Sequence, residues 1–268
     1  MITPDVFGDR LEAYQNHQNT PWSRLRYKTA QANLMRHLAG GSLAVLDAGG
    51  GNGLETVALA GLGHAVTLLD GSEKLLAEAR RNAREAGVEE RVEFVRGDVC
   101  SIPELFPAAS FDAVLCHNVL QYVEDLDRAL RGLVRAVKEA GILSVICVNR
   151  YSEAYRLAIQ ERNPSAALAA VDARVIRSKV FDEPMRAYAA EDLLERLERS
   201  GCDTAGRYGL LCINDCIADN EWKSNPQVCA EVEKLEFALS GVFPYYHLAR
   251  FFQIVSRKRA PQGPAGMR

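Results

Sequence analysis

Residues 43 to 53 have the sequence Leu-Ala-Val-Leu-Asp-Ala-Gly-Gly-Gly-Asn-Gly, in which an apolar run ends at an acid and leads directly into a glycine cluster. The run from Leu43 to Leu46 is typical of a buried strand in a parallel sheet. The glycines that follow allow the backbone to turn tightly and to approach a ligand where a side chain would collide. This stretch therefore predicts a strand that leads into a ligand-binding loop.

Asp47, near the end of that strand, indicates which ligand the loop binds. A glycine loop that binds a dinucleotide surrounds a pyrophosphate, and a carboxylate at this position would repel phosphate. A carboxylate instead suits a cationic amino group, such as the ammonium that S-adenosylmethionine carries beside its sulfonium.

Two further acids follow predicted strands. Asp70 closes the run from Ala65 to Leu69, at a suitable distance along the chain to accept hydrogen bonds from ribose hydroxyls. Asp98 comes shortly after a third strand, and its carboxylate can accept from an adenine amine while the next main-chain group meets the ring edge. A turn or a helix cap explains each acid alone. Three acids at three successive strand ends favour a shared nucleoside site.

These residues resemble the class I S-adenosylmethionine-dependent methyltransferases, whose motifs correspond to residues 47–53, Asp70, Asp98 and the strand 111–117. The resemblance implies a Rossmann-like, seven-stranded, mostly parallel α/β sheet with helices on both faces and its last strand antiparallel. It also implies that the methyl donor binds at the carboxyl ends of the strands, where ligands of open α/β sheets bind in general. The predicted cofactor-binding residues are Arg26, Asp47, Gly49, Gly50, Gly51, Asp70, Gly71, Ser72, Asp98, Val99 and His117.

Composition fits one globular domain. The chain has 268 residues, of which 48% are hydrophobic and 25% are charged, so it can bury a full core. The formal charge of -3 argues against a strongly electrostatic nucleic-acid binder, although a local basic face is compatible with a balanced total. Met1 to Tyr14 lacks the pattern of a signal peptide, and no run reaches membrane-spanning length, which predicts a cytoplasmic protein without membrane contact.

The seven cysteines are odd in number and scattered, unlike a disulfide framework. Cys212 and Cys216 have a ligand-like gap, but no histidine or second close pair follows nearby, so we expect packing and no metal. Nothing in the sequence predicts an oligomeric state.

The spacing of the apolar residues changes along the chain and predicts four segments within a single domain of residues 1–258, followed by a tail. Strands at 43–48, 65–70, 92–97, 111–117 and 142–149 alternate with amphipathic helices, which is typical of a parallel sheet. The predicted segments are an N-terminal helical cap (1–40), the cofactor-binding core (41–150), a mostly helical lid inserted after strand five (151–200), closing strands (201–258) and a disordered tail (259–268). In the lid, the substrate-contact candidates are Tyr151, Tyr155, Arg174, Arg177 and Lys179.

A narrower resemblance covers most of the chain more loosely. The segments 20–27, 49–51, 117–123 and 246–251 look like those of the bacterial tRNA 5-carboxymethoxyuridine methyltransferases. This resemblance implies that Arg26 binds the methionine carboxylate and that His117 lies against the cofactor. It implies that the acceptor is a wobble-uridine carboxylate, which is esterified by direct in-line transfer. Tyr14, in the N-terminal cap, is predicted with Tyr151 to contact this substrate.

The chemistry needs no catalytic base, because a carboxylate acceptor is already anionic at neutral pH. We therefore predict no catalytic residue in the sense of an acid or base, and expect positioning to provide most of the rate. The resemblance to the tRNA-acting enzymes leads us to expect basic residues between Gly209 and Asp215, but this stretch has none. Two alternatives to a tRNA methyltransferase therefore remain open. One is a small-molecule O- or N-methyltransferase, and the other is a non-catalytic S-adenosylmethionine-binding sensor or partner subunit.

Overall fold

A seven-stranded sheet forms the centre of the molecule. The computed structural model describes residues 4–178 and 180–260, so Lys179 and residues 261–268 of the predicted tail lie outside the described residues. The described strands are β1 (Ala44–Ala48), β2 (Ala65–Asp70), β3 (Val92–Arg96), β4 (Phe111–His117), β5 (Val137–Val148), β6 (Val175–Arg177), β7 (Pro184–Arg186), β8 (Cys202–Leu210) and β9 (Phe251–Lys258).

The order of strands in the large sheet is β3, β2, β1, β4, β5, β9, β8. Neighbouring strands run parallel from β3 to β5, whereas β9 runs antiparallel to both β5 and β8. This order confirms the predicted Rossmann-like sheet with its last strand antiparallel. The β1 and β4 strands lie side by side at its centre, so the loops that follow them are neighbours.

Helices cover both faces of the sheet. They are α1 (Pro4–Asp9), α2 (Leu11–Gln18), α3 (Pro21–Met35), α4 (Leu54–Gly61), α5 (Glu73–Glu85), α6 (Ile102–Leu105), α7 (Leu126–Ala136), α8 (Tyr151–Ile159), α9 (Pro164–Ala170), α10 (Ala190–Arg199), α11 (Asn220–Ser224), α12 (Pro226–Leu239) and α13 (Tyr245–Leu248). Side chains of a strand alternate between faces. Accordingly Val45 packs in one core with Leu59 of α4, and Leu46 packs in another with Leu130 of α7 and Leu193 of α10.

Helix α3 of the N-terminal cap begins at Pro21. The Thr20 hydroxyl accepts a hydrogen bond from the Ser23 N–H at 3.3 Å, and proline is favoured at the first position of a helix. The aromatic and cationic residues between 21 and 27 therefore lie on a helix.

The segment 151–200 differs in part from the mostly helical prediction. Besides α8, α9 and α10 it contains β6 and β7, which pair antiparallel. Ile176 and Met185 are buried while their neighbours in the strands are exposed, and this alternation with a period of two is the signal for strands. Helix α9 begins at Pro164, after a cap from Asn163.

Strand β5 begins at Val137, ahead of the predicted start at residue 142. Phe111 pairs with Val137, and the register shifts before Ala113 pairs with Ile142, so the additional residues form an irregularity at the start of the strand. Among the described helices, none is both long and apolar enough to cross a membrane.

Candidate active site

A cavity of about 870 Å³ opens where β1, β2 and β4 end, within the size range of small-molecule sites. We call one side the strand wall, formed by Gly49–Gly51, Asp70, Asp98 and His117. A second part of the lining, which we call the helix wall, contains Trp22 of α3, Arg156 of α8, Lys223 of α11 and Arg250. The structure thus brings residues from the whole chain to the edge of the sheet that the sequence predicted.

The glycine loop follows β1. Gly49 has φ of +80°, and a Cβ added there would lie 2.3 Å from Cγ2 of Val119. Its N–H donates to the Leu69 carbonyl at 2.7 Å, and the Gly51 N–H donates to Oδ2 of Asp70 at 3.0 Å. The loop is therefore held against the end of β2 by its backbone, in a conformation that requires glycine.

Asp70 ends β2 and faces the cavity together with Gly71. Its Oδ1 accepts from the Ser72 N–H at 2.8 Å and its Oδ2 from the Gly51 N–H. Burial raises the pKa of Asp70, and these backbone hydrogen bonds oppose the rise. Ser72, by contrast, is buried away from the wall, where its hydroxyl caps α5 by accepting from the Leu75 N–H.

Asp98 and Val99 follow β3 and both line the cavity. Asp98 is exposed, and one carboxylate oxygen accepts from the Cys100 N–H at 2.7 Å. Val99 is buried and presents an apolar surface beside it. The pair has the acceptor and the apolar edge that an adenine ring requires.

Asp47 is the predicted cofactor acid that does not reach the cavity wall. It is 2% exposed and lies beneath the loop, where its Oδ2 accepts from the Thr56 hydroxyl at 2.6 Å. Burial and the charge of Glu55 raise the pKa of Asp47 to about 7. The structure therefore gives Asp47 contacts within the loop region in place of the predicted direct contact with a ligand.

Glu55, in the first turn of α4, faces the cavity where Asp47 was expected to act. Its carboxylate lies 2.7 Å from Nδ1 of His117, which ends β4. Burial favours a raised pKa for Glu55, but the neighbouring His117 and Arg26 lower it. Glu55 was not among the predicted site residues, although an acid two residues after the last loop glycine, in the first turn of a helix, is a recognisable signal.

A line of buried polar side chains continues from His117 into the protein. His117 Nε2 lies 2.8 Å from the Ser144 hydroxyl of β5, to which Gln253 Nε2 of β9 donates at 3.1 Å. The Gln253 amide also donates to the Ala30 carbonyl at 3.1 Å and accepts from Asn33 Nδ2 at 3.2 Å. These contacts fix the orientation of His117 from behind.

Arg26 of α3 reaches the cavity as a mostly buried cation. Its guanidinium lies 4.6 Å from the ring centre of Tyr27 and 5.0 Å from that of Phe251. Burial lowers the pKa of Arg26, but Tyr27, Tyr14 and Glu55 raise it, so the net shift is upward. In the described parts of the chain it has no ion pair with a carboxylate within 4 Å, which leaves its charge directed at the cavity.

The N-terminal cap closes the site. Tyr14 lines the cavity, and burial together with Tyr27 raises its pKa well above the usual range. The amides of Gln18 and Asn52 exchange two hydrogen bonds, of 3.1 and 2.7 Å, which join α2 to the glycine loop. Aromatic contacts between the cap, the loop after β4 and the lid follow the same edge and involve Phe7, Tyr14, Tyr122 and Phe181.

Tyr151, the second predicted substrate contact, does not line the cavity. It is 40% exposed at the start of α8, with the Arg150 guanidinium 5.0 Å from its ring centre. The other described lid candidates, Tyr155, Arg174 and Arg177, are also exposed and off the wall, and Arg177 pairs with Asp182 at 2.6 Å. Lys179 lies outside the described residues.

All seven cysteines are free, including Cys212 and Cys216. Within residues 4–178 and 180–260, no group of three His, Cys, Asp or Glu side chains is arranged to hold a metal ion. The polar groups that line the cavity are carboxylates, amides, hydroxyls, a thiol, two imidazoles and several cations.

This chain is similar to several known proteins. A model of the methyltransferase domain family matches residues 46–145. The tRNA 5-carboxymethoxyuridine methyltransferase of Escherichia coli K12 is 27% identical over 262 residues, which cover 94% of this chain and 95% of that protein. The ubiquinone biosynthesis O-methyltransferase of Rickettsia canadensis is 30% identical over 186 residues, which cover 69% and 72% of the two chains.

Among solved structures, one similar fold is that of a methyltransferase from Thermotoga maritima described as S-adenosylmethionine-dependent and as a possible histamine N-methyltransferase. It matches with a TM-score of 0.65 at 20% identity, over 95% of this chain and 99% of that one. At this identity the match supports the fold alone.

Proposed function

The chain belongs to the S-adenosylmethionine-dependent methyltransferases, and on that premise we propose that it methylates the carboxylate of a 5-carboxymethoxyuridine at the wobble position of tRNA. The observation that carries this proposal is the length of the similarity to the Escherichia coli tRNA enzyme, which covers 94% of this chain and 95% of that protein. The similarity extends far beyond residues 46–145 of the domain model, into the N-terminal cap and the closing strands.

The residues of the strand wall suit the cofactor by their chemistry. Each oxygen of Asp70 accepts one backbone hydrogen bond and has a lone pair left, so both can accept from ribose hydroxyls. A Cβ at Gly49 would clash with Val119, so the loop leaves room for close approach to its backbone. We propose that Asp98 and Val99 contact the adenine, Gly49–Gly51 the methionine portion, and Gly71 the ribose side.

The charged side chains near the loop suit the two ends of the methionine group. We propose that Arg26 binds its carboxylate and that Glu55, oriented by His117, accepts from its ammonium. Asp47 then acts through the loop, and Ser72 through the start of α5, because neither lies on the wall.

The bound cofactor supplies a methyl group on a positively charged sulfur. The acceptor carboxylate is ionised at neutral pH, so no side chain has to remove a proton before it attacks. The work of this chain is therefore to orient the two reactants and to exclude water, to which the aromatic side chains of the cap and lid contribute. We propose that Tyr14, which lines the cavity, contacts the acceptor, whereas Tyr151 lies off the lining.

A small-molecule O-methyltransferase is the second candidate. It is supported by the Rickettsia relative and by the apolar side chains of Val148, Met185 and Leu211 on the cavity lining. A hydroxyl acceptor, unlike a carboxylate, has a proton to lose. This candidate therefore predicts a rate that rises with pH above 7, whereas esterification of a carboxylate predicts a flat profile there.

The decisive experiment incubates the protein with methyl-labelled S-adenosylmethionine and bacterial tRNA that carries 5-carboxymethoxyuridine without the methyl ester. We expect label in the esterified nucleoside after digestion, and none in tRNA whose wobble uridine is unmodified. The Asp70→Ala variant provides a matched protein control. Cofactor binding without labelled RNA would reject the tRNA proposal and direct the assay to small hydroxyl acceptors. A tRNA acceptor also predicts a cytoplasmic location.

A further inference from the structure

Lys223 is a buried cation on the helix wall. It lies in α11, is 5% exposed and lines the cavity, although sequence analysis did not single it out. Its Nζ donates to the Asn214 carbonyl at 3.2 Å and lies 5.0 Å from the ring centre of Trp22. A carbonyl and an indole face solvate an ammonium only in part.

The neighbouring cations of the helix wall are paired. Arg156 and Arg250 both donate to the Glu153 carboxylate, at 2.7 and 2.8 Å, and Arg250 also lies 3.7 Å from Asp215. In contrast, Lys223 has no carboxylate within 4 Å in the described parts of the chain. Burial lowers the pKa of Lys223, and the more distant Asp215 and Asp219 oppose this only in part.

Ser23 supplies a second unsatisfied group on the same lining. Ser23 follows Trp22 in the sequence of α3, and its side chain is 2% exposed. Its hydroxyl has no hydrogen-bond partner among the described residues. Buried hydroxyls are almost always hydrogen-bonded in proteins, so an isolated one on a cavity lining points to a ligand. A hydroxyl can donate to an anion that an ammonium neutralises.

We propose that Lys223 binds the carboxylate of the methyl acceptor, to which the Ser23 hydroxyl of the same cavity can donate. This inference rests on the proposed function, which supplies the identity of the acceptor. It adds that Lys223 is the side chain that recognises the acceptor. A carboxylate fits the site better than a neutral group because it supplies the missing counter-charge. Methyl transfer breaks the sulfur–methyl bond of the cofactor, whose electron pair stays on the sulfur, and forms an oxygen–methyl bond on the acceptor. The anion becomes a neutral ester, so the product loses this interaction.

The interaction also predicts a particular kinetic signature. The negative charge of the acceptor decreases as the oxygen attacks the methyl group, so an ammonium stabilises the bound acceptor at least as much as the transition state. Lys223 therefore acts mainly on binding and specificity. Its loss should raise KM without a matching fall in kcat.

The test uses Lys223→Met, which keeps the length of the side chain without its charge, and Lys223→Arg, which keeps the charge. The control is Lys28→Met, an exposed lysine of α3 that pairs with Glu233 away from the cavity. With the tRNA acceptor, Lys223→Met should raise KM about 10- to 100-fold and change kcat less than about threefold. The affinity for S-adenosylhomocysteine should stay within about twofold in all variants, which also shows that they fold.

A second arm does not depend on tRNA. Phenoxyacetate and its neutral methyl ester are titrated into the protein loaded with S-adenosylhomocysteine. We expect the wild type to prefer the acid by about tenfold or more, Lys223→Arg to keep part of this preference, and Lys223→Met to lose it.

Equal binding of acid and ester by the wild type, or the same preference in Lys223→Met, would overturn the assignment. Absence of tRNA methylation by the wild type would instead reject the proposed acceptor, while the preference for the acid would still support an anion site at Lys223.

Discussion

The two walls of the cavity are built in different ways. The strand wall consists of short local motifs, each at a fixed offset from the end of a parallel strand, and its groups are largely held by the backbone. The helix wall collects Trp22, Arg156, Lys223 and Arg250 from distant parts of the sequence and holds them by side-chain contacts. The cavity therefore combines one wall that local motifs hold in place with another that depends on tertiary contacts between distant segments.

The largest expected effect on the strand wall comes from Gly49→Ala, which tests whether the loop needs glycine at this position. A residue with a Cβ is strained at φ of +80°, and the Cβ would lie 2.3 Å from Val119, so we expect the free energy of unfolding to fall by about 2 to 4 kcal/mol. Urea denaturation measures the change. Gly63→Ala is the matched control, because Gly63 has φ of +95° with no atom near its Cβ position, and it should cost about 1 kcal/mol. Equal costs would mean that the loop yields to the clash.

The variant Asp70→Ala tests whether the strand wall binds the cofactor and not the acceptor. Loss of the ribose acceptors should weaken binding of S-adenosylhomocysteine by about 10- to 100-fold, as measured by calorimetry. Asp98→Ala should have a smaller effect, because that carboxylate is exposed to water. If Asp70→Ala instead altered only the KM of the acceptor, Asp70 would belong functionally to the helix wall.

The buried acid beneath the loop predicts a pH dependence. The pKa of Asp47 is raised from 3.8 to about 7, so between these values the folded protein keeps a proton that the unfolded chain has lost. Through this group the free energy of unfolding falls as pH rises from about 4 to 7, by at most about 1.4 kcal/mol per pH unit. Asp47→Asn stays neutral and can still accept from Thr56, so its unfolding curve should depend less on pH. Urea titrations at several pH values that gave parallel curves would contradict this origin.

The smallest expected effect tests how far the acceptor-binding surface extends beyond the cavity. Tyr14 and Tyr151 were both predicted to contact substrate, but only Tyr14 lines the cavity. We expect Tyr151→Ala to change kcat/KM less than about twofold, and Tyr14→Ala to reduce it by a clearly larger factor. A large loss in the Tyr151 variant, with normal stability, would extend the acceptor surface beyond the cavity.

The same contrast explains what could be predicted from the sequence. The loop glycines, Asp70 and Asp98 could be located because a parallel strand fixes where the next residues emerge. The direction of Tyr151 depends on the rotation of α8, which no local pattern encodes. Lys223 meets Trp22 only because α11 packs near α3, a tertiary contact between residues far apart in sequence. Glu55 could have been found from local sequence, since it lies two residues after Gly53, the last glycine of the loop.

The line of polar side chains behind His117 has a consequence for the carboxylate in front of it. Gln253 Nε2 uses one hydrogen for the Ala30 carbonyl and the other for the Ser144 hydroxyl oxygen. The Ser144 hydroxyl still has one hydrogen and one lone pair, so it can meet Nε2 of His117 either as a donor or as an acceptor. The ring is thus held at both nitrogens, with Nδ1 next to Glu55. An amide in the last strand therefore determines, through a hydroxyl and a ring, where the Glu55 carboxylate faces the cavity.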